Sequence, residues 1–370
     1  MIRTLRLLPA LALALACDLP DVTVVGTHLE IAADPGLELC GGTLAHMDAF
    51  VERLSAAFSR PPPDERIRYY WLEARDFFAR SGCPEESGGC AHDLTPYAPR
   101  APMNHALVHN LSAAIGDPPP FFAEGLAVAF EGLPDDLGQL DPRDGSPALP
   151  PLAIDDLLTL PTGVRLGTAG GYPIAGAFTA FLIRTHGLDA HLRLYARLRQ
   201  TTQRGAIDRA FRDALGVSLD RSIADFEATA RDCPHYAHDA RLVECAAPEL
   251  AWDGADLVHH RPFGCDQDDV IGPFGGTTIL ALRTLEIAEA GGHALTVIGG
   301  PDGRPTQVAL LRCDPCATDR LVNFAGAPTT TAWLEPGRYA VLFHGKTGPR
   351  SAVGMRLTRV PDWTPPDDAP

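Results

Sequence analysis

Met103-Asn104-His105-Ala106-Leu107-Val108-His109 is followed, past Gly116 and a Pro118-Pro119-Pro120 break, by Phe121-Phe122-Ala123-Glu124-Gly125-Leu126-Ala127-Val128-Ala129-Phe130-Glu131-Gly132. On a helix, residues four apart share one face about 6 Å apart along the axis, so His105 and His109 can both reach one metal ion. Leu107 and Leu111 fall on the opposite side and give this helix a core face. The second segment is apolar almost all round, the mark of a buried helix. Its Glu124 then needs a partner, because an unpaired carboxylate in low dielectric is costly. Zinc held by two histidines would be that partner. Two imidazoles, one carboxylate and a fourth position left to water make a catalytic zinc set, and the stretch predicts one zinc ion on His105, His109 and Glu124.

Outward from these helices (102–132), the pattern predicts an α+β fold dominated by helices. Thr27 to Ala33 alternates as a strand does, and Leu44, Met47, Val51, Leu54 and Phe58 recur at helical spacing until Pro61-Pro62-Pro63. Ile67 to Leu72 reads as a further strand. Pro102 to Phe226 reads as helical, with a loose loop over 133–171. Past Cys233 the texture turns to β-rich runs, Thr278 to Ile287, Ala294 to Ile298, Val308 to Leu311 and Tyr339 to Phe343, separated by Gly/Pro turns. Glu335-Pro336-Gly337-Arg338 has the Pro-Gly order of a type II turn. The expected organisation is a signal peptide (1–16), a tether (17–26), a helix-dominated unit with small N-terminal strands (27–233), a β-sandwich module (246–361) and a frayed tail (362–370).

His105-x-x-x-His109 followed by Pro120-Phe121-Phe122-Ala123-Glu124-Gly125-Leu126-Ala127 resembles the peptidase MA-like gluzincins, zinc metallopeptidases with H-E-x-x-H on one helix and E-G-x-A on the next. Tyr172-Pro173-Ile174-Ala175-Gly176-Ala177-Phe178 through Leu182 to His186-Gly187 resembles the following helix of that family. Ala206 to Phe211 and Leu215-Gly216-Val217-Ser218-Leu219 resemble its closing helices. The likeness spans about 130 residues, from Met103 to Cys233. It implies a gluzincin-like domain that binds zinc. At the position of the family's general base, however, stands Ala106, which cannot accept a proton, and loss of a positioned base costs ~10²- to 10⁴-fold in rate. No catalytic residue is therefore assigned. Tyr172 reads as an aromatic packed at a helix start, or, as the resemblance implies, as a donor to a transition-state oxyanion. Glu131, on the Glu124 face but roughly 10 Å further along the axis, lies beyond reach of a metal-bound water and reads as a carboxylate that supports a ligand or closes the helix.

Other histidine pairs and the cysteines carry no second site. His235 with His238, and His259 with His260, lack partners at ligand spacing and read as solvated loop residues. Cys40, Cys83, Cys90 and Cys233 are expected to make two bridges within the helical unit, leaving Cys245, Cys265, Cys313 and Cys316 to the β-module. Cys313-Asp314-Pro315-Cys316 reads as a small structural disulfide.

Arg3 and Arg6 precede an apolar run, Leu7 to Ala16, of signal-peptide size and too short to span a bilayer. Ala14-Leu15-Ala16-Cys17 suits ordinary signal peptidase and also resembles the bacterial lipobox. Nine cysteines favour the second reading, because lipid on Cys17 leaves eight to pair. With 370 residues, 45% hydrophobic and 21% charged, the chain can bury a large core. A net charge of −16, with Lys346 the only lysine, excludes the basic face that nucleic acid requires. The sequence thus predicts an exported cell-envelope lipoprotein, touching the membrane only through its lipid, with a peptide or protein of the envelope as partner. A soluble secreted or periplasmic form, a slow or atypical zinc peptidase and a metal-free structural protein are the alternatives.

Overall fold

The computed structural model describes residues 19–85, 87–92, 94–132, 153–229, 242–274, 276–299, 306–314, 320–348 and 351–364. The expected signal peptide, Cys17, Cys233, His235, His238 and Cys316 lie outside them. The fold is α+β, with a sheet-rich C-terminal region.

The first unit begins with β1 (Val22–Val25), β2 (Leu29–Ala33), helix α1 (Thr43–Ala57), β3 (Ile67–Trp71), α2 (Phe77–Ser81), β4 (Cys90–His92) and β5 (Thr95–Ala98). Its sheet has the order β1-β2-β3-β5-β4, parallel in the middle and antiparallel at both edges. The expected tether therefore contains a strand, because Val22–Val25 pairs with β2 along a half-buried edge. Then come α3 (Asn104–Ser112), α4 (Pro120–Phe130), α5 (Ile154–Leu157), α6 (Gly163–Thr168), α7 (Tyr172–His186), α8 (Leu188–Arg197), α9 (Arg204–Leu215) and α10 (Leu219–Thr229). The expected loose loop over 133–171 holds α5 and α6, since Ile154, Leu157 and Leu166 are buried.

Helix α4 is apolar all round because it lies between two cores. Leu126, Ala127, Ala129 and Phe130 join α1, α3 and the sheet through Phe50, Leu54, Leu107 and Tyr69. Phe121 and Phe122 join the α5–α10 core through Phe178, Phe211 and Phe226.

The C-terminal module comprises β6 (Asp256–Phe263), β7 (Val270–Phe274), β8 (Thr278–Ile287), β9 (Gly291–Gly299), β10 (Gln307–Arg312), β11 (Arg320–Phe324), β12 (Thr330–Leu334), β13 (Gly337–Lys346) and β14 (Ser351–Val360). Two antiparallel sheets, β11-β10-β13-β8-β7 and β12-β9-β14-β6, share one core in which Leu295, Val353 and Leu357 of one meet Leu285, Val341 and Phe343 of the other. Glu335-Pro336 carries the chain from one sheet to the other, with Gly337 at φ 139°. The Tyr339 hydroxyl donates back to the Glu335 carbonyl at 2.9 Å and fixes that corner. His259 and His260 lie in β6, opposite Met355 and Gly354 of β14, and not in a loop, because the run is claimed by strand pairing. Part of the expected frayed tail is packed, since a Cβ added at Gly292 would lie 2.6 Å from that of Trp363.

The disulfides correct the expected division of cysteines. Cys83 pairs with Cys90 inside the first unit, but Cys40 pairs with Cys265 across the two units, and Cys313 pairs with Cys245. The reason is the seat of α1 on the β-module. Gly41 and Gly42 donate to the Cys265 and Val270 carbonyls at 2.9 Å each, and the Thr43 hydroxyl donates to Gly272 O at 2.8 Å. A Cβ at Gly41 or Gly42 would lie 2.7 or 2.8 Å from backbone atoms of Gln267 or Asp269, so only glycine permits this approach. At the same loop Asp269 pairs with Arg261 of β6 and Arg283 of β8, which hold its carboxyl down to about 2 and tie the two sheets together. Three disulfides place the described chain in an oxidising, exported environment. Among the described residues, no helix is long and apolar enough to cross a membrane.

Candidate metal centre

Helix α3 turns Leu107 and Val108 into the core and leaves His105 and His109 on the face that meets α4. The pairing of α4 with α7 aims Glu124 at that face. A Cβ at Gly125 would lie 2.5 Å from Thr179 Oγ1 and 2.7 Å from the Ala175 carbonyl, so the helices touch where the sequence has glycine. His105 Nε2 and His109 Nε2 lie 3.0 and 3.1 Å from the same oxygen, Glu124 Oε2, and 3.1 Å from each other. These three residues form a group able to hold a metal ion.

The His105 tautomer is set from outside the group. His105 Nδ1 lies 2.8 Å from Glu131 Oε2. A carboxylate acceptor requires Nδ1 to carry its proton, so in neutral His105 the Nε2 lone pair points at a second carboxylate. Lone pairs converging at 3 Å are relieved by a cation, by a proton added to His105, or by a neutral His109 that carries its proton on Nε2. Burial pulls the His105 imidazole down, yet Glu124 and Glu131 outweigh it and push it up to about 10. Burial likewise raises the Glu124 carboxyl, but the two histidines, His109 first, hold it well below the usual carboxylate range.

Glu131 is thus one shell out from the candidate ligands, as its distance along α4 implied. The sequence alone did not show which histidine it serves, because that depends on how α3 crosses α4. Tyr172, first residue of α7, stacks on His105 with centroids 5.9 Å apart and planes 13° apart. Burial, then the charge and hydrogen bonding of Glu124, raise its phenol above the ordinary range. Gly163 was not legible as a site residue: a Cβ there would lie 2.1 Å from Glu124 Oε1, and no spacing rule announces that approach.

The group opens on a cleft of about 810 Å³ whose walls include Leu94, Met103, Val128, Val164 and Pro173. Ala106, 2% exposed, borders it directly after His105 and offers no proton acceptor. Of the cleft's described carboxylates, Glu124 and Glu131 are engaged with histidine and Asp117 accepts from Gln200 Nε2 at 2.8 Å.

No protein-family model matches the chain, and no curated protein sequence does. The pre-peptidase C-terminal domain of a collagenase from Bacillus anthracis superposes with a TM-score of 0.23 at 11% identity, over 30% of this chain and 94% of that one. PliG, a periplasmic lysozyme inhibitor of g-type lysozyme from Aeromonas hydrophila, gives 0.19 at 10% identity over 30% and 94%. An isomalto-dextranase from Arthrobacter globiformis T6 gives 0.17 at 15% identity over 29% and 22%. Scores this low carry no argument about function.

Proposed function

We propose that the chain is a cell-envelope lipoprotein whose helical unit, similar to gluzincin peptidases, binds one zinc ion through His105, His109 and Glu124 and works by binding a peptide or protein of the envelope with little or no turnover. The observation that carries this reading is the meeting of two imidazole Nε2 atoms on one carboxylate oxygen directly beside an alanine. Borderline-soft zinc suits a nitrogen-rich set with one carboxylate. Bound zinc would lower the pKa of its water towards ~7. The described residues around it hold the ligands and line the cleft, and among them none stands ready to take a proton from that water. The β-module, clasped to α1 by Cys40–Cys265, offers a second surface to an envelope partner. Lipid on Cys17 would anchor the assembly.

Two observations support other readings. The open cleft beside the site favours a slow peptidase. The chain Glu131–His105–Glu124 suits a protonated His105 held between two carboxylates with no metal at all. Zinc stoichiometry on the purified mature protein, followed by a peptide-library assay, separates the three. One zinc per chain, lost in His109→Ala, and no measurable cleavage are expected. A protein that stays metal-free after zinc dialysis at neutral pH overturns the metal reading. Zinc-dependent cleavage at ~1 to 10³ per second, abolished by His105→Ala, makes the chain an enzyme.

A further inference from the structure

Glu124 shows the histidines one oxygen only. Both Nε2 atoms lie against Oε2, whereas Oε1 faces the turn that starts α6. A Cβ placed on Gly163 would be 2.1 Å from Oε1 and 3.4 Å from the Tyr172 hydroxyl oxygen. The phenol oxygen and Oε1 thus approach one point at the start of α6, and the Tyr172 ring lies parallel to His105. This placement is rigid. Gly125, next to Glu124, abuts the Ala175 carbonyl, and Tyr172 sits three residues, about 4.5 Å of helix, before Ala175. Any shift of the Tyr172 backbone relative to that of Glu124 would have to separate two closely packed helices.

We infer that Tyr172 is a positioning residue of the metal centre: its hydroxyl holds Glu124 Oε1 away from the ion while its ring braces His105, so that Glu124 coordinates through Oε2 alone. This rests on the zinc reading proposed above and deepens it, because a hydroxyl committed to a ligand is not a donor to a substrate oxyanion. The missing base at Ala106 and the committed phenol then describe the same site, one shaped for holding a metal.

The test uses the full mature chain, wild type and Tyr172→Phe, with zinc affinity by chelator competition, zinc-edge X-ray absorption, the visible spectrum of the cobalt(II) form, and melting of the metal-free protein. One carboxylate oxygen at the wild-type metal is expected. Tyr172→Phe keeps the stacked ring, so the metal-free variant should still melt in one cooperative transition, lowered only by the loss of one hydrogen bond. Its zinc affinity should fall by about 10- to 100-fold, the range for groups that orient a ligand, with a changed cobalt spectrum as Glu124 turns. Unchanged affinity and spectrum overturn the inference, and so does bidentate Glu124 in the wild type. If Tyr172→Phe does not fold, the wild-type absorption measurement decides alone. A wild type that takes up no zinc defeats the underlying reading instead, and is recognised before any variant is compared.

Discussion

Glu131→Gln isolates what an orienting carboxylate contributes to the candidate metal centre. The wild-type contact, 2.8 Å from His105 Nδ1 to Glu131 Oε2, joins side chains only 12% and 20% exposed, so solvent screens it little. A hydrogen bond to a charged group is worth about 1.5–3 kcal/mol and a neutral one about 0.5–1.5. Exchanging carboxylate for amide therefore removes roughly 1–1.5 kcal/mol of support for the tautomer that bares Nε2. At 1.4 kcal/mol per decade this is about a tenfold loss of zinc affinity. Glu131→Ala also strands the Nδ1 proton in a buried site, and the loss should approach 100-fold. Competition with a chromophoric chelator reads both variants, and melting of the metal-free proteins shows whether the fold has changed. Wild-type affinity in both would refute the argument, since His105 would then not bind metal through Nε2.

Three further outcomes are expected. Ala106→Glu restores a carboxylate directly after His105 and should raise zinc-dependent peptide hydrolysis about 100-fold, a barrier lower by ~2.7 kcal/mol; no rise at full zinc occupancy would show that the vacancy at 106 is not what limits turnover. Replacing Cys40 and Cys265 together by serine opens a bridge with a sequence separation of 225 residues. It should cost about 2–5 kcal/mol in urea unfolding, and a loss under about 1 kcal/mol would mean that the backbone contacts of Gly41, Gly42 and Thr43 suffice. Burial holds His46 and His344 down to about 4, against 6.5 for an unperturbed imidazole. Both are neutral when folded and take up a proton on unfolding below that value, so stability is full above pH 6.5 and falls as the pH drops towards 4, by up to about 3 kcal/mol each. His46→Gln and His344→Gln should show a flatter decline than wild type between pH 7 and 4.5, and parallel curves would contradict the assignment.

The sequence by itself determined the α+β class with its sheet-rich C-terminal region, and the grouping of His105, His109 and Glu124 as residues able to hold a metal ion, because these rest on local periodicity. Two imidazoles four residues apart share a helix face wherever the helix goes, and a helix apolar on every side must be buried. The β-rich run from Thr278 to Ile287 likewise predicts a strand without knowledge of its neighbours. What only the tertiary structure decided depends on how those elements meet. Cys40 finds Cys265 because glycines let α1 sit on the β-module, a contact between residues 225 apart that no spacing encodes. Glu131 serves His105 because α3 crosses α4. Gly163 and Tyr172 enclose the far side of Glu124 because α6 and α7 are packed there by hydrophobic residues distant in sequence. Side-chain direction follows from helical and strand geometry along the chain, whereas contact between elements follows from the packing of their faces, and only the folded core sets that.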